Sequence, residues 1–141
     1  MARYLLDTNV VSEPMRPRPE PAVLRWLEAR DPLDLFLSSI TLGELVAGVR
    51  KLEPSARRRA LERWLEEVLA PQFHGRILAF DVDTAWRWGG IVSDLQSAGR
   101  PRPAIDLQIA AIAAQHSLVL VTRNTADFVG LDLDIVDPWS G

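Results

Sequence analysis

The sequence contains no cysteine among its 141 residues, and this absence removes several chemistries at once. Disulfide bonds, thiolate zinc sites and a cysteine nucleophile all require a thiol. Histidine is scarce as well: only His74 and His116 occur, too few and too isolated for a histidine-rich metal centre. Carboxylates must therefore carry most of the chemistry that the chain performs.

Lysine and long apolar runs are nearly missing too. Lys51 is the only lysine, which disfavours any mechanism that needs a buried catalytic lysine. No apolar run approaches the roughly 20 residues of a membrane-spanning helix, and the acidic Asp7 comes too early for a signal peptide. We therefore expect a cytoplasmic protein without a membrane segment.

The charge balance gives no general attraction for a polyanion, since 19 acidic and 16 basic residues leave a net charge of −3. A nucleic acid would have to be bound by a local basic patch. Almost all the basic residues are arginines, however, and the planar guanidinium group suits bidentate contacts with phosphate. The composition therefore does not exclude phosphate-bearing substrates.

The length predicts a single domain over residues 1–141. Short apolar segments alternate with amphipathic ones, which predicts an α/β fold with a central parallel sheet of four to five strands and helices on both faces. Pro71 is predicted to end the fourth helix, and residues 14–21 to form an extended connector. The predicted strands are 4–6, 35–37, 77–80, 118–121 and 134–136, and the predicted helices are 7–13, 23–27, 38–49, 55–70, 83–98 and 104–114.

Two acidic residues stand at positions that suit a binding site. Asp7 follows the first predicted strand, at the carboxyl edge where parallel sheets bind ligands, although the same position suits a helix N-cap. Glu44 has the small helical neighbours Thr41, Ala47 and Gly48, which favours a side chain that faces a cleft. The alternative is a solvated glutamate on a surface helix.

Asp106 is the only charged residue in a helix that is apolar nearly all round, so we expect it to be buried. A desolvated carboxylate needs a cation, several hydrogen bonds or a helix N-terminus, and the first-turn position leaves a structural role open. Asn124 and Asp127 follow the fourth predicted strand. Their spacing fits either a site or a capping box at a helix start.

These acidic residues at strand ends and helix starts offer the hard oxygen ligands that Mg²⁺ and Mn²⁺ prefer. Such a cation orients and deprotonates water, and it neutralises the charge that develops on a phosphodiester during cleavage. The residues therefore predict metal-assisted phosphodiester hydrolysis.

Four segments in this order resemble the PIN-domain nucleases, and in particular the VapC toxins of prokaryotic toxin–antitoxin pairs in their FitB-like branch. The resemblance spans nearly the whole chain and continues to Asp137-Pro138-Trp139. The four segments are LLDTNVVSE at 5–13, SITLGEL at 39–45, IDLQIAA at 105–111 and LVTRNTADF at 120–128.

The resemblance implies a PIN fold and a Mg²⁺- or Mn²⁺-dependent endoribonuclease acting on RNA. It also implies a homodimer, further assembly with a VapB-type antitoxin, and an antitoxin segment that directs an arginine toward the acids. By position, Asp7, Glu44 and Asp106 match the family's three acids and metal ligands. Asn124 stands where many members have aspartate, which leaves a second metal in doubt, while Asp127 matches another frequently acidic position.

Other readings compete with this one. A PIN-like module that binds antitoxin or RNA without efficient cleavage would explain Asn124. A response-regulator or phosphatase domain also places aspartates at strand ends, but the chain has neither an Asp-x-Asp pair after the first strand nor a lysine after a late one. DNA cleavage is permitted by the same chemistry.

Arg58 and Glu62 are expected to pair, and each of the five tryptophans is expected to pack in the core.

Overall fold

Five short strands form one parallel sheet, in the order β3-β2-β1-β4-β5, in a computed structural model that describes residues 2–140. The predicted α/β class and the position of every predicted strand are confirmed, although most strands are one or two residues shorter than expected. The strands are β1 (Tyr4–Leu6), β2 (Leu35–Ser38), β3 (Ile77–Leu78), β4 (Val119–Val121) and β5 (Ile135–Val136).

Seven α-helices within residues 2–140 connect these strands. Short 3₁₀ turns span Glu13–Met15, Pro32–Asp34 and Thr125–Phe128, and a π-helical turn spans Leu65–Leu69. None of the helices in residues 2–140 combines the length and the apolar composition needed to cross a bilayer. The helices are α1 (Thr8–Ser12), α2 (Pro21–Glu28), α3 (Ser39–Arg50), α4 (Ala56–Trp64), α5 (Ala70–Gln72), α6 (Val82–Ser97) and α7 (Ala104–Gln115).

Apolar side chains pack on both faces of the sheet. Successive residues of a strand point to opposite faces, so Leu5 joins the layer that contains α7 while Leu6 joins the layer that contains α1, α2 and α3. Residues Ile109–Ala113 of α7 are fully buried, and all of them except Ala111 belong to the apolar layer that contains Leu5. Both faces of β1 are therefore covered, as expected for a central parallel strand.

The parallel arrangement brings the strand ends together at one edge. Leu6 of β1 pairs with Val121 of β4, so the next residues, Asp7 and Thr122, are neighbours at the carboxyl edge. Ser38 ends β2 on the other side of β1 and begins α3. Residues that are more than a hundred positions apart in sequence thus meet at the carboxyl edge of the sheet.

The prediction that Pro71 ends the fourth helix was wrong by two residues. The helical path continues from α4 through the π-helical turn into α5, which contains Pro71. Proline has no N–H and its ring crowds the carbonyl four residues earlier, so a wider turn just before it relieves the conflict. Accordingly, the Ala70 N–H donates to the Leu65 carbonyl, five residues back.

The predicted connector is extended only in part. It begins with the 3₁₀ turn Glu13–Met15, and the carboxylate of Glu13 is buried there. That carboxylate accepts hydrogen bonds from the Glu20 N–H at 2.8 Å and from Arg16 at 3.3 Å. A side-chain bridge that spans the proline-rich segment thus fixes its two ends.

Candidate active site at the carboxyl edge of the sheet

Asp7 lies at the centre of the carboxyl edge and is 5% exposed. Its Oδ1 accepts the Thr8 N–H at 2.8 Å, so the predicted N-cap of α1 is present. Its Oδ2 accepts the Thr122 hydroxyl at 2.7 Å, so the residue does more than cap a helix. Burial raises the pKa of Asp7; the bonds from Thr122 and Thr8 oppose that rise, and the charge of Asp127 adds to it.

Glu44 reaches the same edge from α3. The Thr8 hydroxyl donates to its Oε1 at 2.6 Å, which links the helix that follows β1 to the helix that follows β2. The N-cap Ser38 accepts the Thr41 N–H at 2.9 Å and sets where α3 begins. Glu44 therefore faces the site, as its small neighbours predicted, and is not a glutamate pointing into solvent.

Asp106 occupies the first turn of α7, where the positive end of the helix dipole favours a negative charge. It is half-buried, which corrects the expectation of full burial. Partial burial, followed by the nearby charges of Asp127, Asp7 and Glu44, raises the pKa of Asp106 to about 6, and a hydrogen bond with Asp127 favours its protonated form. The charges of these three acids therefore all act on Asp106 at the carboxyl edge of the sheet.

Asn124 and Asp127 lie in the segment that follows β4. Neither side chain makes the capping bond that was one of the two alternatives; the 3₁₀ turn begins with a backbone bond from the Asp127 N–H to the Asn124 carbonyl. The Asn124 N–H donates to the Thr122 hydroxyl oxygen at 3.0 Å. Asp127 thus joins the acidic cluster through its side chain, while Asn124 contributes through its backbone and its side chain is exposed.

The charges of the predicted acids act on one another, yet their side chains are not arranged around one common metal position. In residues 2–140 no three acidic or histidine side chains are arranged to hold one metal ion in the conformations of the structure. Mutual repulsion keeps carboxylates apart when no cation neutralises them, and the Thr8 hydroxyl holds Glu44. The donor set still fits a hard divalent cation in its chemistry, because it consists of carboxylate oxygens whose charges act on one another.

The hydroxyl groups of Thr8 and Thr122 were not predicted to matter for the site. Each joins an acid to a different element, and Thr122 is fully buried. The available signal was a threonine within two residues of each of two central strand ends, at positions 8 and 122. Because threonine is common in strands and at helix starts, this signal does not by itself identify a site residue.

The chain belongs to the PIN-domain family, because the family profile described as PIN domain matches residues 4–131. Among its relatives, toxin FitB of Neisseria gonorrhoeae is 42% identical over 135 residues, covering 96% of this chain and 97% of that protein. VapC ribonuclease Y4jK of Sinorhizobium fredii is 36% identical over 135 residues, covering 96% of each chain. The predicted family and its FitB and VapC branch are thus confirmed.

Solved structures agree with this membership. The crystal structure of FitAcB from Neisseria gonorrhoeae matches with a TM-score of 0.92 and 42% identity, covering 96% of this chain and 98% of that one. A toxin–antitoxin complex from Klebsiella pneumoniae matches with a TM-score of 0.70 and 27% identity, covering 96% and 97%. The PIN fold predicted from the sequence is therefore established.

Proposed function

We propose that this chain is a Mg²⁺- or Mn²⁺-dependent endoribonuclease and the toxin of a cytoplasmic toxin–antitoxin pair. The observation that carries the proposal is the group of acids at the carboxyl edge, where the charges of Asp127, Asp7 and Glu44 help raise the pKa of Asp106 to about 6. Such crowding is unfavourable without a cation. Relatives named as a toxin and as a VapC ribonuclease support the same function.

Asp7, Glu44 and Asp106 would hold the cation, with Asp127 beside them. A bound divalent ion supplies an activated water and neutralises charge on the cleaved phosphodiester. The Thr122 and Thr8 bonds orient the two oxygens of Asp7, so this ligand is positioned before any ion arrives. Asp106 gives up its proton when it becomes a ligand, so ion binding tightens as the pH rises through about 6.

RNA cleavage by purified, antitoxin-free protein tests the proposal. We expect cleavage with Mg²⁺ or Mn²⁺, none with chelator, and a loss of at least about a hundredfold in Asp7→Asn and Asp106→Asn without unfolding. The matched control is Asp31→Asn, because Asp31 caps a 3₁₀ turn at the opposite edge of the sheet and asparagine also caps. Wild-type inactivity on varied RNAs with both metals would favour the binding module, and cleavage of DNA alone would favour a deoxyribonuclease.

We further propose that the antitoxin occupies a groove that starts at Glu44 and runs between α1, α3 and α4. Glu44 and the apolar side chains of Leu45, Val49, Leu61 and Trp64 line the groove, together with Arg16 and Arg57. This lining suits a segment that carries apolar side chains as well as charged ones. Gly48 lies on the groove with free space at its α-carbon, so Gly48→Gln should weaken inhibition by the co-purified antitoxin and leave RNA cleavage intact.

The proposed homodimer would use the exposed face of α6. Val82 is 74% exposed and Trp86 80% exposed, one helical turn apart, and the small residues Ala85, Gly89 and Gly90 beside them allow close approach. An apolar stripe of this kind on an exposed helix is typical of an association surface. We propose that a second copy of the chain covers it.

A further inference from the structure

Arg123 is an exposed arginine in the loop that leaves β4, between two residues that belong to the acidic site. The hydroxyl of Thr122 binds Asp7 on one side, and the Asn124 N–H binds that same hydroxyl on the other. The backbone N–H of Arg123 donates to Asn9 Oδ1 at 3.4 Å, in the helix that Asp7 caps. Three consecutive residues are thus fixed to the site.

The guanidinium of Arg123 lies over the indole ring of Trp139, 5.3 Å from the ring centroid. Trp139 follows β5, which pairs in parallel with β4, so both residues stand at the carboxyl edge. Asp137 holds the backbone at Trp139 in place. Its Oδ1 accepts the Trp139 N–H at 2.9 Å, and its Oδ2 accepts the Ser140 hydroxyl at 2.9 Å. Trp139 also packs on the core, so it is a firm support.

The charge of Arg123 has no acidic partner in the part of the chain that the structure describes. The ion pairs in residues 2–140 are Arg16 with Glu13 and Arg58 with Glu62, so Arg123 is not paired with the acidic cluster beside it. The contact with the Trp139 ring and the lack of an ion pair within residues 2–140 leave the guanidinium N–H groups of Arg123 available to a ligand. These N–H groups match the oxygens of a phosphate group.

We propose that Arg123, supported by Trp139, is a substrate-binding residue that contacts a backbone phosphate of the RNA next to the phosphodiester being cleaved. This inference rests on the proposed nuclease function and adds a residue to it. The acids attract the metal ion but repel the phosphates of the RNA. The positive charge of Arg123 beside the acids offsets that repulsion for the neighbouring phosphate. The stack keeps the side chain in place before RNA arrives, which lowers the entropy lost on binding.

RNA binding separates this role from a structural one. In an Asp7→Asn background with Mg²⁺, which prevents cleavage, Arg123→Ala should raise the Kd for a labelled single-stranded RNA about tenfold. The slope of log K against log salt should fall by about 0.7, the value for one lost phosphate contact on a single strand. Arg123→Lys keeps the charge but loses the stack and the planar fork, so we expect an intermediate loss. Trp139→Leu should change binding in the same direction.

The matched control is Arg30→Ala. Arg30 lies over Trp26 at 4.3 Å, at the opposite edge of the sheet, so it is a stacked arginine away from the acids. We expect its removal to leave RNA binding unchanged. In the cleavage-competent chain, Arg123→Ala should raise KM about tenfold with kcat nearly unchanged, the pattern of lost substrate binding.

The outcomes are distinct. If Arg123→Ala binds and cleaves RNA like wild type, or loses thermal stability without losing RNA affinity, Arg123 only anchors the C-terminal turn and the assignment is overturned while the nuclease function stands. If the wild-type chain neither binds nor cleaves RNA, the proposed function fails and this assignment fails with it.

Discussion

Thr122 shows how one uncharged side chain can govern a charged site. Its fully buried hydroxyl donates to Asp7 and accepts from the Asn124 N–H, so it uses both its donor and an acceptor position. A buried polar group that loses its partner costs more than the net worth of a hydrogen bond. The position of Asp7 thus depends on a residue that carries no charge itself.

We therefore predict that Thr122→Val, which keeps the side-chain shape and removes the hydroxyl, lowers the free energy of unfolding by about 1–3 kcal/mol. RNA cleavage should fall at least about tenfold, because a 1 Å misplacement of a catalytic group is costly. Denaturant unfolding and cleavage rates measure both effects. Thr122→Ser is the control, since it restores the hydroxyl and should recover most of the activity; full activity in Thr122→Val would refute the role.

Asp106 leads to a pH-dependent prediction for the protein in chelator. Its pKa rises from 3.8 to about 6 on folding, so the native state holds its proton more tightly than the unfolded state between these values. The free energy of unfolding therefore falls as the pH rises from about 4 to about 6, and the loss is complete above that range. Asp106→Asn removes this penalty and should be more stable than wild type at pH 8, with the advantage gone below pH 4.

Thermal unfolding across this pH range, with and without Mg²⁺, tests the prediction. Mg²⁺ should stabilise the wild type by binding to the native state, and it should stabilise Asp106→Asn much less. Asp31→Asn serves again as the control, with a wild-type response to both pH and metal. If the thermal stability of wild type and of Asp106→Asn depended on pH in the same way, crowding of the acids would not destabilise the metal-free protein.

At the residue scale the sequence predicted the acids better than their contacts. Asp106 was identifiable because a lone charge in an apolar helix needs a reason, and Glu44 because its neighbours are small. The bonds from Thr8 and Thr122 could not be predicted, since they depend on which strands are adjacent. Of the two alternatives for Asn124 and Asp127, the capping box is absent, because the 3₁₀ turn there has no side-chain cap.

At the scale of elements, α3 is the helix that brings Glu44 to the site. Its start is fixed by Ser38, a fully buried residue whose hydroxyl accepts the Thr41 N–H. The helix was predicted over residues 38–49, because a 3.6-residue repeat is a local signal. The π-helical turn before Pro71 was not, because a helix continues past a proline only when the surrounding contacts support it.

We predict that Ser38→Ala lowers the free energy of unfolding by about 1 kcal/mol and also lowers RNA cleavage, because the first turn of α3 leads directly to Glu44. Ser55→Ala is matched to it: Ser55 caps α4 through the Arg58 N–H at 3.1 Å and touches none of the acids. Urea midpoints and cleavage rates of both variants decide the matter. An equal loss of cleavage in the two would mean that activity follows overall stability alone.

At the scale of the whole molecule, α6 presents the exposed apolar stripe. Trp86 was expected in the core and is instead 80% exposed, which contradicts the packing expected for every tryptophan. The sequence could not show this, because a tryptophan in an amphipathic helix fits a core and an interface equally well. Likewise the parallel sheet was predictable from alternating elements, but the strand order was not, since strands of two to four residues carry no pairing signal.

We predict that the wild-type chain sediments as a dimer and Trp86→Glu as a monomer in sedimentation velocity, with thermal stability kept at low protein concentration. Charge on an apolar contact surface opposes association strongly, because the carboxylate would be desolvated without a partner. Leu33→Glu is the control. Leu33 is 66% exposed in the 3₁₀ turn that precedes β2, and its replacement should leave the sedimenting mass of the protein unchanged. A dimer that survives in Trp86→Glu would place the interface elsewhere.

The central position of β1, between β2 and β4, has a consequence for synthesis. Asp7 is synthesised more than a hundred residues before Thr122, which donates a hydrogen bond to it, and Asp127, whose charge acts on it. A nascent or prematurely terminated chain that lacks β4 therefore has the first acid without its hydroxyl donor and without its late acidic neighbour. We therefore expect that the acidic site cannot form until translation has passed Asp127, so a chain released earlier should lack the proposed activity.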